Sequence, residues 1–209
     1  MKPMTWHLAD ELPTGGSATL TPNSSIGLWV LLGVITVLFA LMTAAYLMRM
    51  AFGDWRPLAT IPWQLWLSTS MLIGSSAALQ GARVFARRGE RRHVQIALIV
   101  AGVGAFAFLA AQLWAWQQMV NLHYLVAGNP ANSFFYLLTG LHGLHVVGGL
   151  VAWSWSCSRL ARGAALGSVR LSIELCARYW HFLLGLWLVL FGLMFFVTPE
   201  FIQIICNSY

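Results

Sequence analysis

Five long stretches of this chain contain no Asp, Glu, Lys or Arg, and this pattern restricts its fold more than any other feature. The stretches cover residues 26–48, 58–82, 94–120, 133–157 and 179–197. About 20 helical residues cross a hydrocarbon core of about 30 Å. Because backbone groups in lipid must bond within their own segment, the sequence predicts an all-α integral membrane protein built as a bundle of five transmembrane helices.

The composition excludes the main soluble classes of protein. Charged residues make up 9% of the 209 residues and apolar residues 59%, whereas a soluble chain carries about 25% charged residues. Twelve Lys and Arg with six Asp and Glu cannot cover the surface of a soluble domain. A soluble enzyme, a disordered chain and a nucleic-acid binder are therefore excluded, despite the net charge of +6.

The basic residues predict the orientation of the helices. Five spans place the two termini on opposite sides, so Lys2 and the nine arginines that follow the second and fourth spans share one side. Only Arg49 and Arg56 fall on the other side. The positive-inside rule then places the N-terminus in the cytoplasm and the C-terminus in the periplasm. Residues 1–25 are interpreted as a polar N-terminal tail and residues 198–209 as a short C-terminal tail.

The ionisable groups inside the predicted spans are histidines. His142 and His145 lie one turn apart in the fourth span, and His181 begins the fifth. Three imidazoles can hold a metal, and two can ligate a haem. However, such a site usually has a carboxylate in support, and none is nearby. We therefore predict no catalytic, cofactor-binding or metal-binding residue, while a membrane b-type cytochrome that uses these histidines and a small-solute facilitator remain as alternatives.

Amides and glycines in the spans predict helix packing. Gln112, Gln117 and Gln118 are expected to form interhelical hydrogen bonds of about 1 kcal/mol each. Small residues let neighbouring helices approach closely. The fourth span should therefore be the most tightly packed helix, since it carries four glycines: Gly140, Gly143, Gly148 and Gly149.

Four motifs in order resemble subunit III of the haem-copper terminal oxidases. Residues 134–153 read FFYLLTGLHGLHVVGGLVAW, similar to the TGxHGxHV motif of that family. Residues 178–191 read RYWHFLLGLWLVLF and resemble its YWHF motif. The sequences RGERRH at 88–93 and FLAAQLW at 108–114 resemble its cytoplasmic loop and its FLxxQ motif. Five spans match the short bacterial form of the subunit.

The resemblance implies an accessory subunit without a cofactor of its own, the haem and copper being in partner subunits. Such a subunit packs beside catalytic subunit I and holds membrane phospholipids in a cleft between two helix bundles, and subunit II is expected in the same complex. It supports aerobic electron transport coupled to proton translocation in the bacterial inner (plasma) membrane. The leading interpretation is a cytochrome c oxidase, and the same subunit in a quinol oxidase or a nitric oxide reductase is the alternative.

Particular residues carry this resemblance or depart from it. The family motifs fall on seven residues with an expected packing role: Gln112, His142, Gly143, His145, Trp180, His181 and Phe182. Three basic residues near the predicted inner boundary are expected to contact anionic lipid head groups: Arg83, Arg178 and His181. Thr36, Ala115 and Leu184 stand where the family usually has carboxylates. Any role that needs those carboxylates is therefore not expected here.

Overall fold

The computed structural model describes residues 22–50, 55, 62–124 and 129–196, so most of the predicted N-terminal tail and all of the C-terminal tail lie outside the described residues. The described residues form five α-helices, and the predicted all-α fold is confirmed. They are α1 (Pro22–Met50), α2 (Gln64–Arg88), α3 (Arg91–Asn121), α4 (Pro130–Ala161) and α5 (Leu166–Phe196).

Four of these helices are long and apolar enough to cross a membrane, namely α1 over Ser24–Met50, α3, α4 and α5. The second helix does not reach that apolarity. Four of its hydroxyl residues, Ser68, Thr69, Ser75 and Ser76, are buried in the interior of the bundle. A membrane span for α2 therefore stays a prediction.

All five helices extend beyond their predicted apolar windows, and the fifth and second helices do so by the most residues at one end. The fifth helix begins at Leu166 instead of residue 179, and the second ends at Arg88 instead of residue 82. Both extensions are charged, and they bond to each other. Arg87 donates from Nε and Nη2 to Glu174 Oε1 at 3.0 and 2.9 Å. Arg83 and Arg178 therefore lie on helices, whereas the sequence interpretation placed them in loops.

The connections between the helices are short where they are described. The α2–α3 turn consists of Gly89 and Glu90, and Gly89 has a φ of 78°. The Glu90 N–H donates to Phe85 O and the Gly89 N–H to Ala86 O, as in a Schellman motif that favours glycine. At the α4–α5 turn, Arg91 donates to Leu160 O at 2.6 Å and to Ala164 O at 3.2 Å. These bonds tie the start of α3 to the α4–α5 turn.

The core lies between the last four helices. Helix α2 packs against α3 and α5, and α4 packs against α3 and α5. Leu79, Leu98 and Ile173 are buried in one half of this bundle, and Leu72 and Phe108 in the other. Helix α1 packs against α4 and α5. On α1, the buried residues include Ile35, Phe39 and Tyr46. They form one apolar cluster with Leu138 of α4 and Leu190 of α5.

Candidate functional site

The hydroxyl groups of α2 hold two tryptophans of α5. Trp187 Nε1 donates to Thr69 Oγ1 at 2.9 Å, and Trp180 Nε1 donates to Ser75 Oγ at 2.9 Å. Each hydroxyl also donates to a backbone carbonyl, Thr69 to Leu65 O and Ser75 to Ala101 O. The polar face of α2 is therefore committed to internal bonds.

Two glycines bring indole rings against helix backbones. A Cβ atom at Gly149 would lie 2.6 Å from the Trp180 ring, and one at Gly102 would lie 2.2 Å from the Trp153 ring. Trp153 Nε1 also donates to Leu98 O at 3.0 Å, which fixes its ring on α3. Trp180, the motif residue, is fully buried between α2, α4 and α5.

The four glycines predicted to pack α4 do not behave alike. A Cβ at Gly140 would approach the Trp116 ring to 3.1 Å, whereas one at Gly143 would lie 3.8 Å from Leu109. A Cβ at Gly148 would meet nothing within 4 Å. The glycine content of α4 therefore provides both close packing at Gly149 and open space at Gly148.

The first motif histidine is enclosed by aromatic rings. His142 is fully buried, with its ring centroid 5.7 Å from Phe108 and 5.0 Å from Trp187. Neither of its ring nitrogens has a hydrogen-bond partner among the described residues. This position gives His142 a place in the packing of α3, α4 and α5.

The second motif histidine joins three helices. His145 Nδ1 donates to Leu141 O at 2.7 Å within α4. Its own carbonyl accepts from the Tyr179 hydroxyl of α5 at 3.0 Å. The ring contacts Phe39 of α1 edge-on, at 5.6 Å between centroids. His145 therefore helps to hold α1 against the bundle.

The third histidine bonds to α2. His181 Nδ1 accepts from the Ser76 hydroxyl, and Nε2 donates to Gln80 Oε1 at 3.2 Å. The three histidines thus contact different helices and do not converge. In the described part of the chain, no group of three or more His, Cys, Asp or Glu side chains is placed to hold a metal.

The remaining motif residues pack between helices. Gln112 Nε2 donates to Ser68 Oγ at 3.1 Å, and Gln118 accepts from Gln64 Nε2. Phe182 is half-buried against the cluster that contains Phe39 and Leu190. Gln117, expected to bond between helices, is exposed instead.

The predicted lipid-contacting residues lie in different surroundings. Arg178 is exposed, and Arg83 is partly buried, with its Nε lacking a partner among the described residues. The structure brings Arg87 and Arg170 to Glu174, the Arg170 Nε lying 3.6 Å from its carboxylate. Since both nitrogens of His181 are bonded within the bundle, this histidine is less available to a head group than the sequence suggests.

A cleft of about 460 Å³ opens between α1, α4 and α5. The resemblance implies a lipid cleft, but the sequence did not place one on these three helices. Its lining is almost entirely apolar and includes Leu28, Leu31, Gly148, Ala152 and Trp155. The Arg159 guanidinium lies 5.3 Å over the Trp155 ring, one turn further along α4. This contact could have been predicted from the sequence, because residues four apart share one face of a helix and an arginine is attracted to an indole ring.

These features define a helical membrane protein whose histidines, amides and hydroxyls mainly connect its own helices. Its cleft between α1, α4 and α5 is apolar, with an arginine beside it. The chain belongs to the cytochrome c oxidase subunit III family, since the model of that family matches residues 24–198. The predicted resemblance is thereby confirmed.

Relatives with that name match over most of their length. The chain is 31% identical to a probable cytochrome c oxidase subunit 3 of Nocardia farcinica and 30% identical to one of Mycobacterium leprae. Each of these alignments covers 84% of this chain and 89% of the relative. A cytochrome c oxidase subunit 3 of Corynebacterium diphtheriae is 26% identical, over 88% of this chain and 94% of the relative.

Proposed function

We propose that this chain is the accessory, cofactor-free subunit III of a respiratory cytochrome c oxidase. In this role it stabilises catalytic subunit I and holds phospholipids in the cleft between α1, α4 and α5. The observation that carries the proposal is the family match over residues 24–198. Both ring nitrogens of His181 are bonded to α2, and His142 and His145 lie on the same helix. This arrangement favours the proposal over a b-type cytochrome, whose haem would require free imidazoles on facing helices.

The direct test is purification of the complex through a tag on this chain in mild detergent. Subunits I and II are expected to co-purify, with haem bands in the optical spectrum of the complex. The chain separated from them should show no Soret band and no stoichiometric iron or copper. A haem band that stays with the isolated chain, and disappears in His142→Ala, would contradict the proposal.

The electron donor separates the leading interpretation from its alternatives. The purified complex is expected to oxidise cytochrome c with consumption of oxygen. Oxidation of quinol alone, or turnover with nitric oxide, would assign the chain to a quinol oxidase or a nitric oxide reductase complex. The subunit III assignment itself would be unchanged by either result.

Filling the cleft is expected to reduce the number of phospholipids retained by the purified complex. Gly148→Leu places a side chain in the cleft without a clash, because a Cβ at Gly148 meets nothing within 4 Å. Native mass spectrometry would count the lipids. The matched control is Gly185→Leu on α5, which is equally unobstructed but does not line the cleft. An equal lipid count for the two variants would contradict the assignment of the cleft to lipid.

Lipid counting by native mass spectrometry, applied to arginine variants, also locates the head group of the bound phospholipid. Arg159→Gln is compared with the Arg83→Ala/Arg178→Ala double variant, since all three arginines can form charge-assisted bonds to a phosphate. Loss of anionic lipid in Arg159→Gln alone would place the head group beside Trp155, and loss in the double variant would place it where the sequence predicts. In both cases the initial turnover should change little while the complex inactivates sooner.

The orientation of the chain in the membrane is a separate prediction. Arginines are concentrated at the α2–α3 and α4–α5 ends, whereas residues 121–132 between α3 and α4 carry no charge. A reporter fused after Gly163 is therefore expected in the cytoplasm, and reporters fused after His123 or Tyr209 in the periplasm. Cytoplasmic signal from the Tyr209 fusion would mean that the number of spans is not five.

A further inference from the structure

A groove between α3 and α4, here called the α3–α4 groove, changes from polar to apolar along its length. It consists of two adjoining cavities of about 330 and 230 Å³, which share Leu113 and Trp116. The outer cavity lies at the end of α3, and its further lining residues are Gln117, Val120, Asn121 and Tyr136. The inner cavity continues along both helices as far as Leu109 and Val147. From residue 121 to residue 109 the groove extends about 18 Å, at 1.5 Å per helical residue.

The inner cavity presents mainly apolar atoms to a ligand. Leu109, Leu113 and Val147 contribute to its lining. Its polar lining residues bond within the chain, since Gln112 Nε2 donates to Ser68 Oγ and the Thr139 hydroxyl donates to Phe135 O. This part of the groove therefore suits a hydrocarbon chain.

The outer cavity lies at the level expected for lipid head groups. Asn121 is the last residue of α3, and Gln117 lies one turn before it. On the same end of the bundle, the exposed rings of Trp63 and Trp114 pack edge to face, with 5.3 Å between their centroids. Exposed indoles at helix ends are typical of the membrane interface. A ligand that fills both cavities would therefore have its head at the interface and its chain in the hydrocarbon.

Gln117 and Asn121 provide hydrogen-bonding groups for such a head. Both side chains are exposed, and neither is bonded to another described residue. Because they are four residues apart on α3, they lie on the same face of the helix. Each amide carries two N–H donors and an oxygen acceptor. The pair therefore matches a head group that both donates and accepts hydrogen bonds.

Two aromatic rings of the outer cavity are held in place by the chain itself. Trp116 Nε1 donates to Thr139 Oγ1 at 3.1 Å, and the Tyr136 hydroxyl donates to Tyr124 O at 3.1 Å. The two rings pack edge to face, with 5.7 Å between their centroids. Since their polar atoms are already bonded, these rings offer a ligand apolar surface next to the two amides.

The chemistry of the lining favours an uncharged sugar over a phosphate or a quinone. Among the described residues, no Lys, Arg, His, Asp or Glu lines either cavity. A phosphate is held most strongly by arginine or lysine, as Arg159 could do beside the other cleft. The carbonyls of a quinone accept but do not donate, so they would leave the amide oxygens unmatched. A sugar has hydroxyls that do both, and an apolar C–H face that can pack on an aromatic ring.

We propose that the α3–α4 groove binds a glycolipid. Its uncharged sugar head bonds to Gln117 and Asn121 in the outer cavity, and one of its acyl chains lies along the inner cavity. The site shares no lining residue with the cleft between α1, α4 and α5. It goes beyond the proposed function, because it requires only that the chain lies in a membrane.

Lipid add-back to the purified complex tests the head group. The complex is purified in a detergent without a sugar head and stripped of lipid. It is then incubated with equal amounts of monogalactosyl diacylglycerol and phosphatidylglycerol that carry the same acyl chains. Native mass spectrometry should find one galactolipid for each copy of this chain, and phosphatidylglycerol should not displace it.

Removal of the two amides isolates the outer cavity. Gln117→Leu/Asn121→Leu should weaken galactolipid binding about tenfold, as expected for the loss of two hydrogen bonds, and leave the phosphatidylglycerol count unchanged. Both positions are exposed, so the folded complex should persist. Gln95→Leu is the matched control, because Gln95 is an exposed amide of α3 that lines neither cavity.

A photoreactive group on the acyl chain of the galactolipid locates the inner half of the site. We expect adducts on the segments of α3 and α4 that contain Leu109 and Val147, and an excess of unlabelled galactolipid should remove them. Adducts confined to α1 and α5 would place the lipid in the other cleft and overturn the proposal.

Three further results would overturn the glycolipid assignment. They are unchanged galactolipid binding in Gln117→Leu/Asn121→Leu, an equal loss of binding in Gln95→Leu, and full displacement of the galactolipid by an equal amount of phosphatidylglycerol. A purified complex that binds an added quinone at this groove, but no galactolipid, would overturn it as well. None of these results changes the subunit III assignment, which is tested by co-purification.

Discussion

Gly102→Leu is expected to prevent accumulation of the folded chain. The new Cβ would lie 2.2 Å from one Trp153 ring carbon and 2.5 Å from another. The ring cannot simply rotate away, because Trp153 Nε1 is bonded to Leu98 O, on the same face of α3. Overpacking of this kind costs about 1–3 kcal/mol or more, so we expect at least about a tenfold loss of folded protein.

The measurement for Gly102→Leu is the yield of monodisperse chain after detergent extraction. Gly74→Leu is the control, because a Cβ at Gly74 meets nothing within 4 Å. The double variant Gly102→Leu/Trp153→Ala should recover part of the yield, since it removes the ring that causes the clash. Failure of the second substitution to restore any folded chain would show that the clash with Trp153 is not the cause.

Trp180→Ala is expected to destabilise the bundle by about 3 kcal/mol or more, because it empties a fully buried site between three helices. Trp180→Phe should cost less, about 1–2 kcal/mol, since it keeps a ring in the site but loses the hydrogen bond to Ser75 and the outer ring carbons that pack on Gly149. Trp29→Ala, at an exposed site on α1, should have little effect on unfolding.

The denaturant dependence of helix content in detergent measures these differences. The ranking expected is a large loss for Trp180→Ala, a small one for Trp180→Phe and almost none for Trp29→Ala. A Trp180→Ala chain as stable as Trp29→Ala would contradict the placement of Trp180 in the core. The same ranking is expected for retention of the complex, because subunits must dock on a folded bundle.

The helices could be predicted from sequence, but some of their ends could not. Uncharged windows fix where a chain can cross lipid, and each described helix contains or overlaps one of the five predicted windows. The extension of α5 back to Leu166 carries Glu174, which bonds to Arg87 on α2, a residue far away in the sequence. A window based on local apolarity cannot include such a pair.

The same holds for the candidate site, where spacing along one helix could be predicted but contacts between helices could not. The spacing of His142 and His145 correctly predicts one turn of α4, but it cannot tell that one ring contacts Trp187 and the other Phe39. The two adjacent glycines of α4 also look equivalent in sequence. Both line the cleft, and only the packing of α5 distinguishes Gly149, which lies against Trp180, from Gly148, which has open space beside it. The cleft itself requires three helices, so no single segment encodes it.

The inward polar face of α2 has a consequence for how the chain is made. A segment that carries Ser68, Thr69, Ser75 and Ser76 in its middle partitions poorly from the translocon into lipid when it is presented alone. Gly89 and Glu90 join it directly to α3, the first described helix after it. We therefore expect α2 and α3 to enter the bilayer together as a helical hairpin, and α2 to depend on the later arrival of Trp180 and Trp187 for its last hydrogen bonds.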